Sequence, residues 1–289
     1  MLPTITRAFP PLPLEELTAE ISRFSSRSLV EKHDLIKRLV MLHPILSVDW
    51  NGRHLCRARK LSDNEALPGN VDGVIWRKDA PASQGRANPY GFPVIYLADH
   101  PDTALREVRA ENHQVVLASF EILLNKSCMI APVGELMCAQ RTGRGSLLGN
   151  SSQYVTDLIN SCEANEMKSL LITDAFLLDC LADGQDNYAI SSYVAKCIFD
   201  KLPAISAISY PSQVQSGAIC FALRTENFWE KWGVKAVRCG QARHLSHGYY
   251  HFSRIRHVIG IMKNGNFRWG EQEENVDSMT LLEPLWIPS

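Results

Sequence analysis

The stretch from Gly85 to Arg109, GRANPYGFPVIYLADHPDTALREVR, constrains the fold most, because three kinds of local structure follow one another in it. Gly85 to Gly91 reads as a loop, since Gly, Asn and Pro supply turn chemistry. Phe92 to Ala98 is an apolar run of strand length containing Val94, Ile95 and Tyr96. Asp99-His100-Pro101-Asp102 then reads as a helix start, with Asp99 or His100 as cap, Pro101 in the first turn and an acidic Asp102 beside it. Arg86 is thus expected on a loop, Tyr96 on a strand, and Glu107 about two turns into a helix.

The rest of the chain must supply a core for these elements. With 289 residues, 45% of them hydrophobic, it can bury a sizeable one. A net charge of −1 offers no basic field for nucleic acid and no acidic excess. No apolar run is long enough to predict a membrane span. The opening MLPTITRAFPPLPLEEL lacks the apolar region and cleavage site of a secretory signal, so a cytoplasmic location, in the producing cell or a target cell, is expected. Eight cysteines without a C-x-x-C pair, most of them flanked by apolar residues, read as reduced packed thiols.

In chain order, the prolines of 3–13 predict extended backbone. Leu14, Leu17, Ile21 and Phe24 then share one helical face. Ser28 and Glu31 form a capping-box candidate for a second helix, whose apolar positions Leu35, Ile36, Leu39 and Val40 run on until Pro44. These two helices read as a hairpin packed on the main domain or as a partner-binding module. Asn51-Gly52-Arg53 looks like a hairpin turn, and 54–60 a short strand with Arg57 and Arg59 on one face. Residues 61–84 read as a long loop with one turn or strand near 73–76. Strands are expected at 114–122, 128–133, 205–210 and 218–223, and helices at 154–159, 167–181 and 188–201. Residues 134–152 form a Gly-, Ser- and Arg-rich run. Its Arg141-Thr-Gly-Arg144-Gly-Ser lacks the Gly-Lys-Ser/Thr end of a phosphate loop. A turn is expected at 184–188. Alternation over 249–258 and Asn264-Gly265 predict a C-terminal hairpin.

Most catalytic signatures are absent from the sequence. His244, His247 and His251 are spaced for metal but lack the Cys or carboxylate ligands usual in zinc sites, and no metal is expected. There is no G-x-S-x-G elbow and no G-x-G-x-x-G fingerprint. What remains is Arg57, Arg86, Tyr96, Glu107 and Ser212, the last where a loop joins two strands. Two fixed cations, an aromatic plate, a carboxylate and a hydroxyl suit a ligand with a diphosphate, a flat ring and a sugar diol. The same residues also fit a plainer arrangement, with Tyr96 in the core, Glu107 on a helix surface and the arginines solvated.

From about Leu55 to about Leu223 the sequence resembles the RES-domain family, named for its Arg, Glu and Ser residues. The resemblance rests on GRANPYGFPVIYLADHPDTALREV, supported by LCRAR upstream and ISYPS downstream. It implies functional roles for Arg57, Arg86, Tyr96, Glu107 and Ser212. It also implies an α+β fold: an ADP-ribosyltransferase-like mixed core of short strands with flanking helices. The segments would be a helical extension at 1–50, the RES domain at 51–225 and a β-rich extension at 226–289 packed on it. Where the family often carries an Asn shortly after the Ser, this chain has Ala218 followed by Ile219.

Many members of the family are toxins that consume NAD⁺ and pair with a helix-turn-helix antitoxin. The resemblance therefore implies cleavage of the nicotinamide–ribose bond of NAD⁺, with water or inorganic phosphate as acceptor and an antitoxin or immunity protein as a possible partner. Neither nucleic acid nor membrane is expected as a partner. Glu107, Arg86 and Tyr96 would be catalytic, and Arg57, Arg86, Tyr96 and Ser212 would bind substrate. Transfer of ADP-ribose to a protein and an inactive RES scaffold are the alternatives.

Overall fold

The computed structural model describes residues 4–51, 54–76, 78, 81–184, 188–273 and 280–288. In chain order its helices are α1 (Ile5–Ala8), α2 (Leu14–Ser22), α3 (Leu29–Leu42), α4 (Pro101–Glu107), α5 (Glu135–Thr142), α6 (Ser152–Asn160), α7 (Ala164–Ala182), α8 (Ala189–Lys201) and α9 (Phe228–Lys231). Its strands are β1 (Val48–Trp50), β2 (Leu55–Lys60), β3 (Val94–Ala98), β4 (His113–Ile122), β5 (Cys128–Pro132), β6 (Ala207–Pro211), β7 (Ile219–Arg224), β8 (Trp232–Ser246), β9 (Tyr249–Ile261) and β10 (Phe267–Glu273). The chain forms two compact units, each gathered from stretches far apart in sequence.

The first unit comprises Met1–Val48, Ala82–Phe92 and Met129–Tyr210 and is largely helical. The capping box expected at the start of α3 is present: Ser28 accepts from the Glu31 amide, and Glu31 accepts from the Ser28 amide at 2.9 Å. Helix α2 packs on α7 and α3 on α8, along the apolar faces expected from sequence. The carbonyls left over at the end of α3 are taken by Lys201, whose ammonium donates to those of Val40, Met41 and His43. Strands β5 and β6 pair in parallel, with Ile130 opposite Ala207.

Residues 134–152, to which the sequence assigns no element, contain α5. It is bounded on both sides by glycines in the left-handed conformation, Gly134 and Gly143. Its first residue, Glu135, is 1% exposed. The Glu135 carboxylate accepts from the amides of Leu147 and Leu148 at 2.7 and 2.8 Å and from the Ser146 hydroxyl. The buried charge thus folds the Gly/Ser/Arg segment around itself. Gly145, at φ +67°, allows this approach, since a Cβ there would lie 2.5 Å from Glu135 Oε1.

The second unit comprises Asp49–Pro81, Pro93–Cys128 and Pro211–Ser289. It contains seven strands in the order β7-β3-β2-β4-β8-β9-β10, all neighbouring pairs antiparallel. β4 (10 residues) covers the strand expected at 114–122, and β8 and β9 run to 15 and 13 residues in the stretch read as β-rich. The expected C-terminal hairpin forms between β9 and β10, closed by a Met262 amide to Asn266 carbonyl bond at 2.9 Å, with Gly265 at φ +84°. Between β2 and β3 the chain makes a short 3₁₀ turn at Val71–Gly73 and no strand among the described residues of 73–76. Trp76 packs there against Phe228 and Trp229.

Gly52 and Arg53 of the expected turn, and 185–187 of another, lie outside the described residues. All eight cysteines are free thiols. No helix among the described residues is long and apolar enough to cross a membrane.

Candidate functional site

Helix α4 carries the central residue. Its N-terminus is set by Pro101 at the first helical position after His100 as cap. Its buried face is Thr103, Ala104 and Leu105, of which Ala104 and Leu105 pack on the sheet in a cluster with Cys56, Ala58, Ala98, Val115 and Leu117. That leaves Glu107, the last residue of α4, exposed at the end of a helix whose other face is fixed.

The Glu107 carboxylate is held from the far end of the chain. Ser212 Oγ donates to Oε1 at 2.6 Å, across a sequence separation of 105 residues. Cys220 Sγ donates to the same oxygen at 3.1 Å. Among the described residues Oε2 has no hydrogen-bond partner. The Ser212 oxygen in turn accepts from the amides of Val214 and Gln215 at 3.2 and 3.0 Å, so its one proton is directed to the carboxylate. The Ser212 amide donates to the Ala218 carbonyl at 2.9 Å and closes the neck of that loop. Ala218, where the family often has Asn, therefore meets Ser212 through its backbone, and its side chain is buried.

Asp99 ties together the two elements that present these groups. Its Oδ1 accepts from Thr103 Oγ1 at 2.8 Å, in the first turn of α4. Its Oδ2 accepts from the Ile219 amide at 3.0 Å, at the start of β7, and its own amide donates to the Ile219 carbonyl at 3.1 Å. One carboxylate thus holds the first turn of α4 to β7, which carries Cys220.

Arg57 and Arg59 share the face of β2 that sequence alternation assigned them, between the buried Cys56 and Ala58. Their surroundings differ. Arg59 pairs with Glu65 at 2.6 Å and donates to the Gly73 carbonyl at 3.0 Å. Arg57 is half-buried and donates from one terminal nitrogen to the Tyr96 carbonyl at 3.2 Å. Its Nε is buried without a partner, and no carboxylate among the described residues forms an ion pair with it. Burial holds the Arg57 guanidinium below the ordinary arginine range, and the neighbouring Arg59 charge adds to this. It is a desolvated cation without a counter-ion among the described residues. Tyr96, half-buried in β3 opposite Ala222, supplies it a carbonyl, and its side chain acts against the downward shift.

Arg86 belongs to the first unit. Its Nη1 donates to the last carbonyls of α7, those of Leu181 (3.2 Å) and Ala182, and its guanidinium lies 5.9 Å from the Tyr188 ring centroid. A cation there satisfies groups the helix leaves over and complements its dipole. The second unit accordingly brings together Glu107 with Ser212 and Arg57 with Tyr96, while Arg86 is tied to a helix end in the first.

Sequence reading missed Cys220. It sits in an apolar run, where a cysteine reads as a small packed residue, and nothing local signals a partner 113 residues away. Of the three spaced histidines, His244 accepts from the Gly248 amide at 3.3 Å and packs on Tyr250. Among the described residues no group of three or more His, Cys, Asp or Glu side chains is placed to hold a metal ion.

An exposed carboxylate oriented by side chains from a distant loop and strand, on a mixed helix-and-strand framework, is the kind of arrangement that serves a ligand. Residues 55–236, well over half of the chain, match the RES domain, and the chain belongs to that family. Arg57, Arg86, Tyr96, Glu107 and Ser212 all lie within the match, which ends inside β8. No curated protein and no solved structure matches the chain.

Proposed function

We propose that this protein cleaves the nicotinamide–ribose bond of NAD⁺, on an ADP-ribosyltransferase-like core, and so depletes NAD⁺ as a toxin or effector. The observation that carries the reading is the state of Glu107, an exposed carboxylate with one oxygen fixed by Ser212 and Cys220 and the other without a partner among the described residues.

The chemistry asks for that group. Breaking the C1′–N bond sends both electrons to the pyridinium nitrogen, so nicotinamide leaves neutral and needs no general acid. Positive charge develops on the ribose, and a preorganised carboxylate stabilises it. Glu107 Oε2 is the oxygen assigned to the ribose hydroxyl and the developing cation. Arg57, a cation without a counter-ion, is assigned to the diphosphate, where a guanidinium fork matches phosphate oxygens. For Arg86 the substrate-binding role is the one the family resemblance implies. Tyr96 is assigned to packing the nicotinamide or its ribose. Ser212 acts by orienting Glu107, with its oxygen lying beside the same ribose. Attack by water gives ADP-ribose and a proton; attack by inorganic phosphate gives the 1″-phosphate.

Purified protein incubated with NAD⁺, with and without phosphate, tests this by release of nicotinamide. Release without phosphate marks a glycohydrolase, release only with phosphate a phosphorylase, and release only with an added protein acceptor a transferase. No release under any of these conditions overturns the reading.

A further inference from the structure

We propose that Cys220 is a positioning residue for Glu107, its thiol acting with the Ser212 hydroxyl to fix which carboxylate oxygen faces the substrate. The inference rests on the assignment of Glu107 as the group that stabilises the ribose cation.

The geometry begins with the placement of Cys220. In β7 it lies opposite Ala98 of β3, with the rest of the ladder running Phe221–Leu97, Ala222–Tyr96, Leu223–Ile95 and Arg224–Val94. Its neighbour Ile219 is bonded to Asp99 in both directions, so the sulfur has little freedom to move relative to the start of α4. Cys220 is 5% exposed, and its Sγ is 3.1 Å from Glu107 Oε1.

Two donors on one oxygen do what one cannot. With Ser212 alone, the carboxylate could swing about its terminal torsion, which is broad for an sp³–sp² bond, and keep one hydrogen bond. A second donor from another element leaves one rotation that satisfies both, and that rotation directs Oε2 away from them. A residue that positions a reacting group is held by its own packing, and the β7–β3 ladder supplies it here.

The thiol remains a donor rather than a nucleophile. Burial pushes it far above the ordinary cysteine range, and the Glu107 charge pushes the same way. It therefore keeps its proton at neutral pH and offers little thiolate to alkylating or oxidising reagents.

The test compares Cys220→Val, which keeps bulk without a donor, with Cys220→Ser, which keeps a donor of shorter reach, in NAD⁺ cleavage by otherwise intact protein. Cys220→Val is expected to lower kcat about tenfold with KM changed less than about twofold, and Cys220→Ser to recover most of that loss. In a Glu107→Ala background Cys220→Val should have no further effect, because the group it positions is gone. Thermal melts of both Cys220 variants identify any loss that is only unfolding. Wild-type kcat in folded Cys220→Val, or a Ser variant as impaired as the Val variant, overturns the proposal. If Glu107→Ala itself leaves turnover undiminished, the functional reading fails instead, so the two failures are distinguishable.

Discussion

Glu135 and Glu107 are both carboxylates at helix ends, each held by a serine hydroxyl, and they lie in different units of the molecule. Glu135 is 1% exposed, and both oxygens are consumed by the loop that follows it. Glu107 is exposed, and its partners converge on one oxygen. The first is complete without a ligand, which is what a structural charge requires. The second is half satisfied, which costs little at an exposed position and leaves an acceptor for something that arrives. The number of oxygens left over, more than the number of bonds made, separates a carboxylate that shapes a loop from one still open to a ligand.

The largest effect that would break this contrast belongs to the buried partner. Glu135→Ala leaves two amides and a hydroxyl inside the fold without an acceptor, and should cost about 3 kcal/mol of stability in denaturant titration. A loss under about 1 kcal/mol would mean that the loop finds other acceptors. Next, Glu107→Ala should lower turnover of NAD⁺ by about 10² or more while shifting stability by less than about 0.5 kcal/mol. A stability loss as large as that of Glu135→Ala would make the two carboxylates equivalent and remove the distinction.

Arg57 sharpens the contrast from the cationic side. Arg57→Met removes a desolvated charge without a counter-ion, so it should leave the melting temperature unchanged or slightly raised while raising KM for NAD⁺ about tenfold. Arg59→Met, which breaks a pair with Glu65, should leave KM unchanged and alter stability by less than about 1 kcal/mol.

The smallest expected signal is in the thiols. Burial pushes Cys56 and Cys239 up to about 11 and Cys180 up to about 12. Since the thiolate is the reactive form, these three should stay unmodified by iodoacetamide near neutral pH in the folded protein, and react only as pH rises toward those values or the fold opens. Mass spectrometry of labelled peptides reads this directly. The half-buried Cys162 should be labelled before them.

How much of this was legible in the sequence depends on how local the cause is. The Ser28–Glu31 capping box, the Asn264-Gly265 hairpin and the alternation of Arg57 and Arg59 about Ala58 are written within a few residues, and all appear as expected. Helix α5 was not legible. Its Gly-bounded, Arg- and Ser-rich context carries no helix periodicity, and the burial of Glu135 that accompanies it is a tertiary event. In the site, Glu107 at the end of a short helix and Ser212 at a strand–loop junction were legible by local pattern. That they touch was not, nor was Cys220, because those contacts are made by the β7–β3 ladder across more than a hundred residues. The difference between Arg57 and Arg59 is equally nonlocal on the side of Arg57, which is defined by a partner it lacks.

The separation between Glu107 and its two donors also orders events in time. A ribosome releases Glu107 long before it has made Ser212 and Cys220, and a chain of that intermediate length carries the carboxylate with neither donor to orient it. If orientation is what turns the group into a catalyst, the nascent polypeptide stays harmless to the cell that makes it until residues 212–220 have emerged and β7 has docked beside β3. A ribosome stalled between those points should hold a chain that does not consume NAD⁺.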